Sequence, residues 1–179
     1  MQTFCAHPPG WRLDSLRAPF VYAGNASVLV QRLKFGRQRW LGQVLGQLLR
    51  PQLVVGSYDL CVPVPLHRRR LAQRGFNQAL EIARGIAPQQ ARMQLAPILQ
   101  RVRDTPPQAE LSAVARRRNL IGSFELTAAV NQRKILLVDD VVTTGSTLNC
   151  LATLLRNHGA LCVGGVAFAR AVGPHTTNV

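Results

Sequence analysis

The run Lys134-Ile-Leu-Leu-Val-Asp-Asp-Val-Val-Thr-Thr-Gly-Ser-Thr-Leu148 constrains this chain more than any other stretch. It begins as an apolar series with β-branched members, the pattern of a strand buried in a parallel sheet. It continues into Leu148, Leu151, Leu154 and Leu155, which recur at helical spacing. Two adjacent carboxylates, Asp139 and Asp140, fall where the expected strand Lys134 to Val138 stops. Between strand and helix, Thr143, Thr144, Gly145, Ser146 and Thr147 bring hydroxyls and backbone N–H groups to a helix N-terminus. Those N–H groups lack intrahelical partners and the helix dipole favours negative charge, so the loop suits a phosphate. Gly145 permits positive φ and a close backbone approach.

Like charges repel, so the two acids do not serve that phosphate. They suit sugar hydroxyls, which donate to them, or a divalent cation. The segment therefore describes a sugar with a phosphate on one side and a hydroxyl pair on the other. The plainer reading is a strand–turn–helix whose acids cap something structural; the complete order of strand, double acid, hydroxyl loop and helix favours the ligand site. The Gly-Lys-Ser/Thr ending of a Walker A loop is missing, and so is Gly-x-Gly-x-x-Gly. The pattern resembles the phosphoribosyl pyrophosphate (PRPP) motif of type I phosphoribosyltransferases. The resemblance implies that Asp139 and Asp140 hold the ribose 2′- and 3′-hydroxyls as the catalytic acids. It also implies that they hold Mg²⁺, directly or indirectly, and that Val141, Thr143, Thr144, Gly145, Ser146 and Thr147 complete the PRPP cradle.

A chain of 179 residues suits one domain. Its 22 basic against 8 acidic residues leave a net charge of +14. Lys34 and Lys134 are the only lysines, and arginine pairs bidentately with phosphate, so phosphate-rich partners, nucleic acid included, fit this balance. The excess of arginine over lysine also has a plain source in genomic base composition; the net charge does not. Met1 to Gly10 lacks the basic start and apolar core of a signal peptide. No run approaches the ~18 apolar residues of a membrane span. The expectation is a soluble, cytoplasmic protein. Cys61, Cys150 and Cys162 lie in apolar segments and read as buried reduced thiols.

Residues 1–17 show no period and are expected to be irregular; 18–170 read as the folded domain and 171–179 as a flexible tail. Within the domain, Phe20 to Tyr22 reads as a short strand, Ala26 to Lys34 as a helix, and Trp40 to Leu49 as a second helix stopped by Pro51. Tyr58 to Val64 reads as a buried strand, Gln73 to Ile86 as a helix closed by Pro88, and Leu95 to Val102 as a strand. Phe124 to Leu126 is a short strand. Ser146 to His158 is the helix of the acid motif, with Gly159 as its stop, and Leu161 to Ala169 is a last strand. Alternating strands and helices predict an α/β fold: a parallel sheet flanked by helices, with a small N-terminal helical element. Ligands of such sheets bind beyond the carboxyl ends of the strands, where Asp139, Asp140 and the segment after Val64 fall.

That second segment, Cys61-Val-Pro-Val-Pro-Leu-His-Arg-Arg-Arg-Leu-Ala-Gln-Arg-Gly-Phe-Asn-Gln78, turns a buried strand into a basic loop. Arg68, Arg69, Arg70 and Arg74 repel one another unless an anion or acids offset them; a solvated basic face is the plainer alternative. Asn77 and Gln78 would orient a base or phosphate, or cap the helix. Pro-Val-Pro-Leu-His, Arg-Gly-Phe-Asn-Gln and Val-Asp-Asp-Val-x-Thr-Thr-Gly-Ser-Thr together resemble the ComF family of competence-related, type I phosphoribosyltransferase-like proteins. Leu33-Lys34-Phe35-Gly36 matches that family's Lys-Phe element. The similarity runs from about Ala18 to Ala169.

The resemblance implies a type I phosphoribosyltransferase-like fold, with pyrophosphate bound by Pro65, Leu66, His67, Arg68 and Arg74. It implies PRPP and Mg²⁺ as ligands, and a tie to DNA uptake or the use of external DNA. Asp104 to Asn119 resembles the loop that closes over PRPP in this fold, with Gln108, Arg116, Arg118 and Asn119 as its ligands; an amphipathic surface helix is the alternative. The family usually carries an N-terminal zinc ribbon. Here only Cys5 and His7 stand in that region, too few for a tetrahedral site, so no zinc is expected. Two functions follow. The first is phosphoribosyl transfer to an acceptor the sequence does not name. The second is a non-catalytic, PRPP- or nucleotide-responsive factor that binds single-stranded DNA, alone or with other competence proteins. The oligomeric state is not legible.

Overall fold

The computed structural model describes residues 3–4, 11–54, 57–87, 93–104, 120 and 122–171. Its strands are β1 (Thr3–Phe4), β2 (Ser15–Arg17), β3 (Phe20–Val21), β4 (Leu60–Pro63), β5 (Gln94–Leu95), β6 (Leu99–Arg101), β7 (Phe124–Leu126), β8 (Lys134–Val142) and β9 (Cys162–Arg170). Its helices are α1 (Gly24–Phe35), α2 (Arg39–Leu49), α3 (Arg68–Arg74), α4 (Gln78–Ile86) and α5 (Ser146–Asn157). Seven strands form one sheet in the order β1-β2-β9-β8-β4-β5, with β3 beside the far end of β9. Every pairing in it is parallel except β1 with β2. β6 and β7 pair separately as an antiparallel ribbon. This is the expected α/β, type I phosphoribosyltransferase-like architecture.

Alternation along β8 builds the two sides of the core. Ile135 and Leu137 face α5 and the N-terminal Leu13 and Leu16. Leu136 and Val138 face α1, α2 and α4. β8 is paired along both edges, by β4 and β9, and covered on both faces by these elements, which accounts for its apolar run.

Four expectations differ from the structure. Residues 15–17 are a strand: β9 supplies the pairing, and three residues are too few to display a period. The strand of the acid motif continues to Val142, paired with β9 as far as Arg170, so Asp139 and Asp140 lie inside the ladder. The basic loop and the start of the expected Gln73–Ile86 helix are instead α3 and α4. They are divided at Gly75, whose φ of 78° ends α3 in the left-handed conformation. The expected Leu95–Val102 strand is two strands, because Pro97 has no N–H to continue the ladder.

Cys61 is buried, whereas Cys150 and Cys162 are only partly so. Burial pushes the Cys61 thiol up to about 12. Cys61 should therefore resist iodoacetamide in the native protein and react only on unfolding, as mass spectrometry of the labelled chain would show. The expected loop residues Gln108, Arg116, Arg118 and Asn119 lie outside the described residues, as do Cys5, His7 and the tail after Ala171.

Candidate functional site

The loop between β8 and α5 is shaped by Gly145, which caps α5 at φ 75°. A Cβ on Gly145 would stand 2.6 Å from Cη2 of Trp11. Glycine is thus required twice, by the backbone and by the ring behind it. The N-terminal segment is held there by the Arg12 N–H, which donates to Asn149 Oδ1 at 2.8 Å. The Thr144 and Ser146 hydroxyls lie 2.7 Å apart on the open side of the loop.

Asp139 and Asp140 each accept from the N–H of the next residue, at 2.9 and 2.7 Å. Lys34 Nζ stands 2.9 Å from Asp140 Oδ2. Asp139 is pushed up to about 7, first by burial and then by the Asp140 carboxylate; the Asp140 N–H, Lys34 and Arg101 oppose the rise.

Asp139 holds its proton more tightly folded than unfolded. Its contribution to stability is complete below the ordinary carboxylate range and is lost as pH rises through about 7. The ligand-free protein should melt at progressively lower temperature across that window, and Asp139→Asn should flatten the slope, which is at most about 1.4 kcal/mol per pH unit for one proton. Thermal melts at stepped pH would check it.

Across a crevice of about 320 Å³ stand Pro65, Leu66, Arg70 and Arg74. Asn77 caps α4, accepting from the Ala79 N–H at 3.0 Å, and its amide donates to the Val64 carbonyl at 2.9 Å. Arg74 donates to Gln78 Oε1 at 2.9 Å and lies 5.7 Å from the centre of the Phe35 ring. The two amides therefore tie the turn after β4 and the arginine to the start of α4. Arg101 reaches the same crevice from β6, which bridges to His67.

The crevice thus gathers Asp139 to Thr147, Pro65, Leu66 and Arg74. His67 and Arg68 open instead onto a neighbouring cleft of about 730 Å³. His67 Nδ1 accepts from the Arg69 N–H at 3.4 Å and stands 3.5 Å from Asp104. Lys34 and Arg101 were not among the site residues read from the sequence. Lys34 had a signal, the Lys-Phe element; Arg101 had none. Such a crevice can take a phosphorylated sugar, with its hydroxyls toward the acids and its anionic groups toward the hydroxyl loop and the arginines.

Residues 71–175 match the Phosphoribosyl transferase domain family. Competence protein F of Haemophilus influenzae is 37% identical over 163 residues, which are 84% of this chain and 69% of that protein. DNA utilization protein YhgH of Escherichia coli (strain K12) is 36% identical over 163 residues, covering 87% of this chain and 71% of that protein. Among solved structures, the allosteric regulatory enzyme of purine biosynthesis superposes with a TM-score of 0.51 at 17% identity, over 78% of this chain and 30% of that longer one. At that identity the likeness concerns the fold.

Proposed function

Because this chain belongs to the ComF family of proteins with a phosphoribosyl transferase domain, we propose that its crevice binds PRPP with Mg²⁺ and transfers the phosphoribosyl group to an acceptor. The observation that carries this reading is the opposition of two walls. Asp139, Asp140 and the Thr143–Thr147 loop form one, and Arg70, Arg74 and Arg101 line the other.

Ribose hydroxyls would donate to Asp139 and Asp140, and the 5′-phosphate would accept from the N–H and hydroxyl groups at the start of α5. Arg70, Arg74 and Arg101 would then face the pyrophosphate. The C1′–oxygen bond breaks and pyrophosphate leaves with the electron pair. The lone pair of a nitrogen nucleophile or water forms the new bond to C1′, and the acceptor's proton passes to solvent. The arginines offset charge as it builds on the leaving group, and the two walls hold the reacting groups in line.

The donor set fits Mg²⁺. Asp139 and Asp140 offer carboxylate oxygens, and no group of three or more His, Cys, Asp or Glu among the described residues forms a metal cage. This suits an ion held by one or two carboxylates, water and ligand oxygens. When bound, it would neutralise charge on the pyrophosphate. Calorimetry with PRPP in the presence and absence of Mg²⁺ tests the binding, and release of pyrophosphate with candidate acceptors tests the transfer. No heat with PRPP and Mg²⁺ would overturn the assignment.

The net charge of +14 favours a second reading, a non-catalytic factor in which PRPP or a nucleotide governs single-stranded DNA binding. Binding carried by Arg68 to Arg74 and Arg116 to Arg118 should lose affinity steeply with salt, with a log–log slope of about −0.7 per phosphate contact. Fluorescence anisotropy with an oligonucleotide at stepped salt would show it. A flat dependence would remove the arginine clusters from that role. DNA binding without release of pyrophosphate from PRPP in the presence of any candidate acceptor would favour this reading over transfer.

A further inference from the structure

α2 is apolar around much more of its circumference than the fold covers. At about 100° per residue, Leu41, Leu45, Leu49, Gly42 and Gly46 sweep the arc that packs inward, and Trp40, Val44 and Leu48 extend it by about 100°. Those three are exposed by 63%, 38% and 48%. They recur at every fourth position, so they form one ridge along the helix, beginning with a tryptophan. The residues flanking the ridge on the polar side are Gln43 and Gln47.

The stretch of chain that carries this ridge has charge of one sign. Between Asp14 and Asp59 the chain has no acid, whereas Arg17, Arg32, Lys34, Arg37, Arg39 and Arg50 all fall there. Lys34 is paired with Asp140 and Arg39 with Glu81. Arg37 and Arg50 stand exposed just before and just after α2. A second copy docked ridge to ridge would bring the same cations against them. A lipid surface calls for a broad apolar face bordered by lysine or arginine, and here the ridge is narrow and bordered by glutamine.

We propose that the Trp40–Val44–Leu48 ridge is a docking site for an acidic amphipathic helix of a partner protein. The partner's apolar seam covers the ridge, with Trp40 as the anchor, and its carboxylates meet Arg37 and Arg50. The crevice is not involved, so docking leaves the PRPP-binding residues untouched.

The test uses the full chain and a peptide of about 18 residues, long enough to hold a helix. The peptide carries leucine at every third and fourth position and glutamate and alanine elsewhere. Anisotropy of the labelled peptide and the emission of Trp40 report binding. A peptide of the same composition with the leucines scrambled should bind at least tenfold more weakly. Trp40→Ser/Leu48→Ser and Arg37→Glu/Arg50→Glu should each cost at least tenfold while the melting temperature stays within a few degrees. Equal affinity for the scrambled peptide, or an unchanged affinity in the serine variant, overturns the proposal. Two other results overturn it in favour of another occupant. One is binding of phosphatidylglycerol vesicles that the serine variant abolishes while the peptide does not bind. The other is a dimer in sedimentation equilibrium that the serine variant dissociates.

Discussion

Replacing Asp139 and Asp140 together by asparagine is expected to weaken PRPP binding by more than tenfold, ~1.4 kcal/mol or more, in calorimetry with Mg²⁺. Asparagine keeps the size of each side chain and removes its charge. A ribose hydroxyl donating to a carboxylate makes a charge-assisted bond, roughly twice as strong as one to an amide. The exchange also removes the carboxylate oxygens that suit Mg²⁺. The loss cannot be ascribed to unfolding. Asp139 is pushed up to about 7 by burial and by its neighbour, so its ionised form costs the ligand-free fold stability rather than adding to it. The double variant should melt no lower than the parent near neutral pH even though Lys34 loses its partner, because Lys34 keeps solvent access. An unchanged PRPP affinity would remove these residues from the ribose site.

What was legible in the sequence was what is local. β8, its loop and α5 follow one another without interruption, and their periods change from apolar run to helical spacing within fifteen residues of chain. The parallel architecture followed from the alternation of such units. What was not legible depends on partners distant in the chain. β2 is a strand only because β9 is there to pair with it. Nothing near Arg101 shows that the ribbon of β6 and β7 brings it over the crevice. Lys34 belongs to a recognisable element, but its ion pair with Asp140 joins residues that only the packing of α1 against β8 brings together. The division at Gly75 is hidden in the sequence for a different reason. A glycine inside a helical pattern is tolerated or a stop depending on its φ, which composition does not disclose.

Gly46→Val should lower stability by about 3 kcal/mol and the melting temperature by about 10 °C. Where α2 crosses α4, glycines face the partner helix from both sides. A Cβ on Gly46 would lie 2.1 Å from the Ile82 carbonyl oxygen and 2.8 Å from the Gly85 Cα. A Cβ on Gly85 would lie 2.1 Å from the Gln43 carbonyl oxygen, and one on Gly42 would lie 2.4 Å from the Glu81 Cβ. The atoms met at Gly46 are backbone, so no rotamer change relieves the overlap, and the helices must separate. Glycine in a helix interior costs up to about 1 kcal/mol relative to alanine, so on propensity alone the substitution would help. The overlap outweighs that gain, because separation uncovers Leu45, Leu49 and Ile82, all fully buried. The crevice should loosen too, since Asn77 and Gln78 stand at the start of α4 and hold the turn after β4 and Arg74. PRPP affinity should therefore fall along with the melting temperature, although no residue at position 46 reaches the ligand. Trp40→Ser, on the opposite side of the same helix, removes a larger side chain and should leave the melting temperature within a few degrees, because that ring is 63% exposed. Scanning calorimetry of the two variants side by side would decide it. A Gly46→Val protein that melts with the parent would mean that α2 and α4 do not meet at this crossing.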